Sequence, residues 1–394
     1  MDNDNSNLYS KLGVSSKKED VHKAIKGLDK GLFPGAFNKI NPDICGREDY
    51  CSIFHADGAG TKAGLAYMYY KETGDNSVFK GIVQDAIVMN IDDMLCSGAT
   101  GPIFVSNTIG RNGKLISGDI ISILINEYAH LCDFLTSMGL PVGMSGGETA
   151  DIGDLVKTLV VDASAFTTVK KSEVINTKKI SKNDVIVGLA SFGKCKYETE
   201  YNSGIGSNGL TLARHGTLSH EYFEKYPECY DNNLSEDMVF FGEHTLTEEI
   251  SELNLTVGEA LLSPTRTYAP PLLDIFEKYR NQIHGVIHNT GGGQTKVLNF
   301  GSDIKYIKDS LFELPPIFEI IKESSKTSWK EMYQVFNMGH RMELYCEEST
   351  ANNIIKIAKK YDIDAKIIGY CERSPIQDKN VVEIDSEFGT FKYK

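Results

Sequence analysis

No apolar run in the 394-residue chain reaches the roughly 20 residues that cross a bilayer. The opening residues MDNDNSNLYSK carry neither an apolar core nor an Arg-rich amphipathic pattern, so a secretory or transit segment is not expected there. Cysteine is sparse: the eight residues Cys45, Cys51, Cys96, Cys132, Cys195, Cys229, Cys346 and Cys371 include no C-x-x-C pair. That spacing argues against a disulfide framework or zinc site and for reduced thiols in a cytoplasmic protein. A basic excess is also missing. Lys plus Arg number 41 against 54 Asp plus Glu, a net charge of -13, which disfavours a nucleic-acid binder. It does not disfavour anionic small molecules, because one lysine or a bound cation overrides the global sign locally. Low-complexity tracts and internal repeats are absent. What is present is a globular composition, 41% apolar and 24% charged, with 36 glycines against 11 prolines.

Strand and helix patterns alternate, giving an α/β (α+β) fold in two domains. The polar stretch around 170–184 divides residues 1–170 from 171–394. Lys17–Lys26 reads as a short amphipathic helix. Strands are expected at 51–57, 102–109, 141–144 and 156–169, and helices at 62–72, 79–96 and 120–138. In the second half, strands at 185–191, 284–290, 341–346 and 365–370 surround helices starting near Asn208 and Thr350. The tail after Glu372 is polar and is expected to be weakly ordered at its end.

Six segments carry candidate chemistry. In Asp57-Gly58-Ala59-Gly60-Thr61-Lys62 a strand delivers a carboxylate, then glycines, a hydroxyl and an ammonium. Free N–H groups and Lys62 suit phosphate oxygens, and Asp57 suits a divalent cation. The P-loop spacing is absent, and a plain tight turn is the competing reading. The apolar stretch carrying Asp85, Asn90, Asp92 and Asp93 stacks Asp85 almost above Asp92 if helical. Acids there must be hydrated, paired or metal-bound, unless a helix end near Asp92 and Asp93 exposes them. Gly146-Gly147-Glu148 follows a short strand as a turn that could add a metal-binding carboxylate. Gly204–Gly209 is a glycine-rich turn before a helix, a simple cap or an anion site. Arg266, within Ser263–Tyr268, could clamp a phosphate. His288 precedes the triple glycine Gly291–Gly293, and reads first as a satisfied, half-buried histidine.

Together and in this order the segments resemble the aminoimidazole ribonucleotide (AIR) synthetase, or phosphoribosylformylglycinamidine cyclo-ligase, family, in the longer form of Bacteroides-type bacteria. Its D-G-x-G-T-K loop is matched at Asp57–Lys62, M-x-V-N-D by Met89–Asp93, and G-G-E-T-A at Gly146–Ala150. S-N-G is matched at Ser207–Gly209, P-T-R-x-Y at Pro264–Tyr268, H-x-T-G-G-G at His288–Gly293 and F-N-M-G at Phe336–Gly339.

The resemblance implies a homodimer whose N-terminal sheets join in a barrel-like layer, with ATP and Mg²⁺ in a cleft, K⁺ a further candidate, and formylglycinamidine ribonucleotide as substrate. It implies no nucleic-acid or membrane partner. Asp57, Asp93 and Glu148 are then the expected metal ligands, and Lys62 and Asp57 the catalytic pair. Gly58, Gly60, Thr61, Asp85, Asn90, Gly146 and Gly147 are expected around the nucleotide. Ser207, Asn208, Thr265 and Arg266 are expected on the substrate side.

The chain departs from the family pattern at several points. Ten residues, Lys194–Ser203, are inserted before the S-N-G turn, and Gly206 stands where the family has histidine. Asp92 replaces the V-N-D asparagine, and His340 and Arg341 follow Gly339 in place of x-G. His215, His288 and His340 remain open as proton carriers. A selenophosphate synthetase or thiamine-phosphate kinase of the same superfamily, and a non-catalytic nucleotide-binding scaffold, are the alternatives.

Overall fold

The computed structural model describes residues 7–15, 20, 23, 24 and 26–394. The helix expected over 17–26 lies largely outside the described residues. The first sheet has the order β1-β2-β5-β3-β4. Its strands are β1 (Asn41–Pro42), β2 (Tyr50–Gly58), β3 (Ile103–Arg111), β4 (Val142–Asp151) and β5 (Leu159–Lys170). β2, β5 and β3 pair antiparallel, while β3 and β4 run parallel. After the short helix Leu8–Lys11, three longer helices of the described residues belong to the first half of the chain: α1 (Lys62–Thr73), α2 (Val78–Cys96) and α3 (Gly118–Ser137). Alternation sets the two faces of the sheet. Ile53, Val105, Ala163 and Ala165 point inward and are buried, whereas Phe54 and Phe104 remain 63% and 54% exposed on the other face.

α3 is amphipathic and buries Ile120, Leu124, Tyr128, Leu131 and Leu135, one stripe at helical spacing. α2 is different. Nearly all of it is buried, acids included, so it runs through the interior rather than over the surface. No helix end exposes Asp92 and Asp93, because α2 continues to Cys96.

The second sheet has the order β14-β13-β10-β12-β6-β11-β9. It contains β6 (Val185–Ala190), β9 (Ile283–His288), β10 (Ile304–Lys308), β11 (His340–Cys346), β12 (Ala365–Arg373), β13 (Val381–Ser386) and β14 (Gly389–Tyr393). β7 (Glu249–Ile250) and β8 (Leu255–Thr256) pair with each other apart from it. β11 and β12 both run antiparallel to β6, which lies between them, so they are parallel and joined by the helix Glu348–Lys360.

Two expectations fail locally. The Gly146-Gly147-Glu148 segment is not a turn after a short strand but part of the ten-residue β4. Gly146 takes φ +102°, and the pairing with β3 slips between Val105 and Asn107, so a bulge absorbs the glycines and pairing resumes. The tail is also ordered. β13 and β14 form a hairpin on the sheet edge, with Val382, Ile384 and Tyr393 buried at two-residue alternation. Trp329 stacks on Phe388 in that hairpin, ring centroids 3.7 Å apart. All eight cysteines are free thiols, and only Cys45 is exposed.

Candidate active site

The Asp57–Lys62 loop links the end of β2 to the start of α1 and meets the glycine-rich turn before the helix Leu210–Thr217. Ser207 Oγ donates to the Ala59 carbonyl at 3.2 Å, and the Thr61 and Thr211 hydroxyls lie 3.4 Å apart. Lys62 Nζ donates to the Gly206 carbonyl at 3.0 Å. Segments some 150 residues apart are thereby fixed to each other. Beside this junction opens a cleft of about 1330 Å³. Asp57, Met89 and Asn208 line one end, with Thr290, Gly291 and Gly292 of the triple-glycine loop and Lys296. Thr290–Gly292 of the His288–Gly293 segment and Asn208 of the Ser207–Gly209 segment thus line one cavity with Asp57.

The acids of α2 are buried and paired. Lys62 Nζ lies 3.1 and 3.0 Å from the two Asp85 oxygens and donates to the Ser263 carbonyl at 2.7 Å. Asp85 also accepts from Thr265 N at 2.8 Å and Thr265 Oγ1 at 2.6 Å. Two turns further on, Asp92 accepts from Thr267 Oγ1 at 2.7 Å and Tyr268 N at 2.8 Å. The Pro264–Tyr268 segment therefore reads the Asp85/Asp92 stripe of α2 from end to end. Burial raises the Asp92 carboxyl to about 7, although these donors and the Arg341 charge pull the other way. Asp93 accepts from His288 Nδ1 at 2.8 Å and faces His55 Nε2 at 3.4 Å. Burial works against its charge, but the His288 hydrogen bond and the nearby Lys296 outweigh it, and its pKa is lowered.

This geometry corrects several expectations. Lys62 is fully buried, and its ammonium is enclosed by Asp85 and two carbonyl oxygens. Burial lowers its pKa, with Asp85 opposing. It braces the loop rather than presenting charge to the cleft. Arg266 is only 1% exposed, and all five of its N–H groups are engaged. Nε and Nη2 donate to Glu198 at 2.9 and 2.5 Å, Nη1 to the Ala190 and Phe192 carbonyls, and Nη2 to Gly193 O. Glu198 belongs to the insertion, so the insertion occupies the guanidinium expected on the substrate. Thr265, buried on Asp85, does not face the cleft either.

The Asp57, Asp93 and Glu148 trio is not assembled within one chain. Glu148 pairs with Thr108, Thr108 with Asp162, and Asp162 with Gly58, which places it three strand spacings, roughly 14 Å, from the loop. It is exposed on the edge strand together with Gly146 and Gly147. Among the described residues, no three His, Cys, Asp or Glu side chains gather as a metal site. Gly58 and Gly60 stay in the loop beside the cleft. Asn90 works as an internal strut: Nδ2 donates to the Asp57, Ala86 and Ala163 carbonyls, and Oδ1 faces His55 Nδ1 at 3.0 Å.

Four contributors escaped the sequence reading. His55, two residues before Asp57, bridges Asn90 and Asp93. Asp162 has its carboxyl pKa raised by burial and then by the Asp57 charge, and the register, which pairs Asp57 with Ala163, sets it on the opposite face of the sheet. Lys296 lines the cleft with Nζ on the Thr290 hydroxyl. Glu198 sits in an insertion that had no assigned role. Strand alternation from Asp57 could have flagged His55; nothing local marks the other three. Of the open proton carriers, His215 is buried against Phe240, where burial pushes its pKa down to about 2, and His340 lies on Glu343 in the core. His288 is satisfied by hydrogen bonds, as its first reading had it, but is fully buried rather than half-buried.

The fold and the paired loops define an AIR-synthase-related protein. Residues 40–169 match the family model of the AIR synthase related protein N-terminal domain, and residues 181–378 the corresponding C-terminal domain. The phosphoribosylformylglycinamidine cyclo-ligase of Methanococcus vannielii is 31% identical over 390 residues, 97% of this chain and 89% of that one. That of Pseudothermotoga lettingae is 32% identical over 86% of each chain. The chain belongs to the phosphoribosylformylglycinamidine cyclo-ligase family. Among solved structures, PurL of T. maritima complexed with ADP superposes with a TM-score of 0.52 at 17% identity, over 98% of this chain and 49% of that one, a likeness of fold.

Proposed function

We propose that the chain closes formylglycinamidine ribonucleotide to 5-aminoimidazole ribonucleotide with ATP, the reaction that gives its relatives their name. The formyl oxygen attacks the γ-phosphorus and ADP leaves. The amidine nitrogen then attacks the activated carbon, phosphate departs with the former formyl oxygen, and the nitrogen loses a proton. A formamide is a poor electrophile until its oxygen becomes a leaving group, so phosphorylation is the enabling step. The protein's contribution is placement and charge balance.

The observation that carries this reading is the convergence of the Asp57–Lys62 loop, the Ser207–Asn208 turn and the Thr290–Gly292 loop on one cleft. Mg²⁺ is commonly held by one or two carboxylates plus phosphate oxygens, and Asp57 at the cleft suits that pattern. Mg²⁺ neutralises charge on the transferred phosphoryl group when bound. Asp93 orders this end of the site from beneath, Lys296 faces the anionic ligands in the place expected of Lys62, and Ser207 and Asn208 orient substrate.

Residues 1–170 form the ATP and dimerisation unit and 171–394 the second unit of this reading. The protein works as a cytoplasmic homodimer; no described helix is long and apolar enough to cross a membrane. The dimer pairs the open faces of two first sheets, where Phe54 and Phe104 are exposed. Glu148, on that side of the sheet edge, reaches a nucleotide only across such an interface.

A coupled assay for imidazole formation from formylglycinamidine ribonucleotide with Mg·ATP tests the reading, with a K⁺ requirement checked by exchanging the monovalent salt. Substrate-dependent ADP and imidazole in equal amounts are expected. ADP release with thiamine phosphate or selenide instead, or Mg·ATP binding without any turnover, rejects it.

A further inference from the structure

Behind the cleft wall, Arg341 of β11 is 1% exposed and has no direct carboxylate partner among the described residues. Its Nη2 lies 3.0 Å from His288 Nε2 and 3.5 Å from the sulfur of Met89, a cleft residue. Nε and Nη1 have no hydrogen-bond partner. The charges of Asp85, Asp92, Asp93 and Lys62 surround it. A guanidinium only donates, so His288 Nε2 must accept. The single proton of the neutral ring then sits on Nδ1, the atom that meets Asp93 Oδ1 at 2.8 Å. On its other side the guanidinium fills the space over Gly206, where a Cβ would fall 2.1 Å from Nη1. The missing side chain at 206 and the arginine at 341, two separate departures from the family pattern, are thus halves of one packing arrangement.

We propose that Arg341 is a positioning residue for Asp93. By occupying the room left at Gly206 it fixes the His288 tautomer, and His288 in turn holds the Asp93 carboxylate in one orientation beneath the cleft. The functional consequence rests on the reading of Asp93 as part of the triphosphate site, whereas the tautomer does not. The first measurement therefore needs no turnover. In the full chain with ¹⁵N-labelled histidine, the His288 ring is expected to show a protonated Nδ1 and a bare Nε2, and Arg341→Ala to lose that preference. In kinetics, Arg341→Ala raises the Mg²⁺ concentration for half-maximal rate by about 10–100-fold, the usual effect of loosening the groups that order a metal site from outside its ligands. A role confined to folding would lower the active fraction and leave the Mg²⁺ dependence in place.

A double-mutant cycle tests the packing. Alanine at φ +71° is strained whatever stands at 341, so that cost cancels in the cycle. Gly206→Ala is expected to lower the rate about tenfold or more beside Arg341 and far less in the Arg341→Ala background. A proton on Nε2 of wild-type His288, equal losses for Gly206→Ala in both backgrounds, or an unmoved Mg²⁺ dependence in folded Arg341→Ala each overturns the proposal. If Arg341→Ala does not fold, the wild-type spectrum still decides. If the chain turns over no ribonucleotide, the spectrum separates that failure from this one.

Discussion

Lys62 occupies the first turn of α1, where the motif places a phosphate-contacting ammonium, yet its partners are Asp85 and the carbonyls of Gly206 and Ser263. Removing one member of a buried pair strands the other without compensation. Lys62→Met is therefore expected to cost roughly 3–5 kcal/mol of unfolding free energy, read as a drop in the urea midpoint at constant slope. Asp57→Asn, at a half-buried position, is expected to cost under about 1 kcal/mol while abolishing turnover. A stable but inactive Lys62→Met would return the lysine to the phosphate. The motif was legible in the sequence, but the environment of its lysine was not. Two of the oxygens that bury it stand 144 and 201 residues away, a separation no local pattern encodes.

Among elements, the Lys194–Ser203 insertion changes the meaning of its neighbours. Glu198 takes Arg266 in a two-pronged pair, and Asn202 donates to the Pro264 carbonyl at 2.7 Å, so the insertion ties down the segment that reads α2. Burial opposes the Arg266 charge, but the Glu198 bonds outweigh it and its pKa goes up. Glu198→Ala is expected to destabilise by about 3 kcal/mol or more, because a buried guanidinium is left uncompensated. Thermal and urea unfolding measure it; a change within about 0.5 kcal/mol would mean that the backbone carbonyls suffice. Strands and helices with clear periodicity, such as β5, α2 and α3, could be read from the sequence to within a few residues. β4 could not, because a bulged glycine pair inside a strand has the composition of a turn. The β13–β14 hairpin was hidden by its polar outer face, though Val382 and Ile384 carry the alternation.

At the scale of the molecule, Phe54, Phe166 and Phe104 align across β2, β5 and β3 through direct register on the open face of the first sheet. Two exposed aromatics, Phe54 and Phe104, flanking the half-buried Phe166 in one row suit the interaction surface proposed above. Phe54→Asp together with Phe104→Asp is expected to convert the proposed dimer to a monomer in sedimentation velocity, with an unchanged far-UV spectrum. Activity falls with it if Glu148 serves the partner's nucleotide. A wild-type chain that sediments as a monomer at micromolar concentration would remove the dimer from the reading. The two-sheet architecture could be anticipated from alternating patterns and a joining of N-terminal sheets from the family resemblance, whereas the aromatic row could not, since it appears only once three strands are set side by side.

Trp329 is the one indole in the chain, and it lies flat against Phe388 far along the sequence from the Asp57 loop. Its ultraviolet emission is consequently a local reporter of the docking of the carboxy-terminal β-ribbon, whose last residues, Lys392–Lys394, line the cleft together with Asp57.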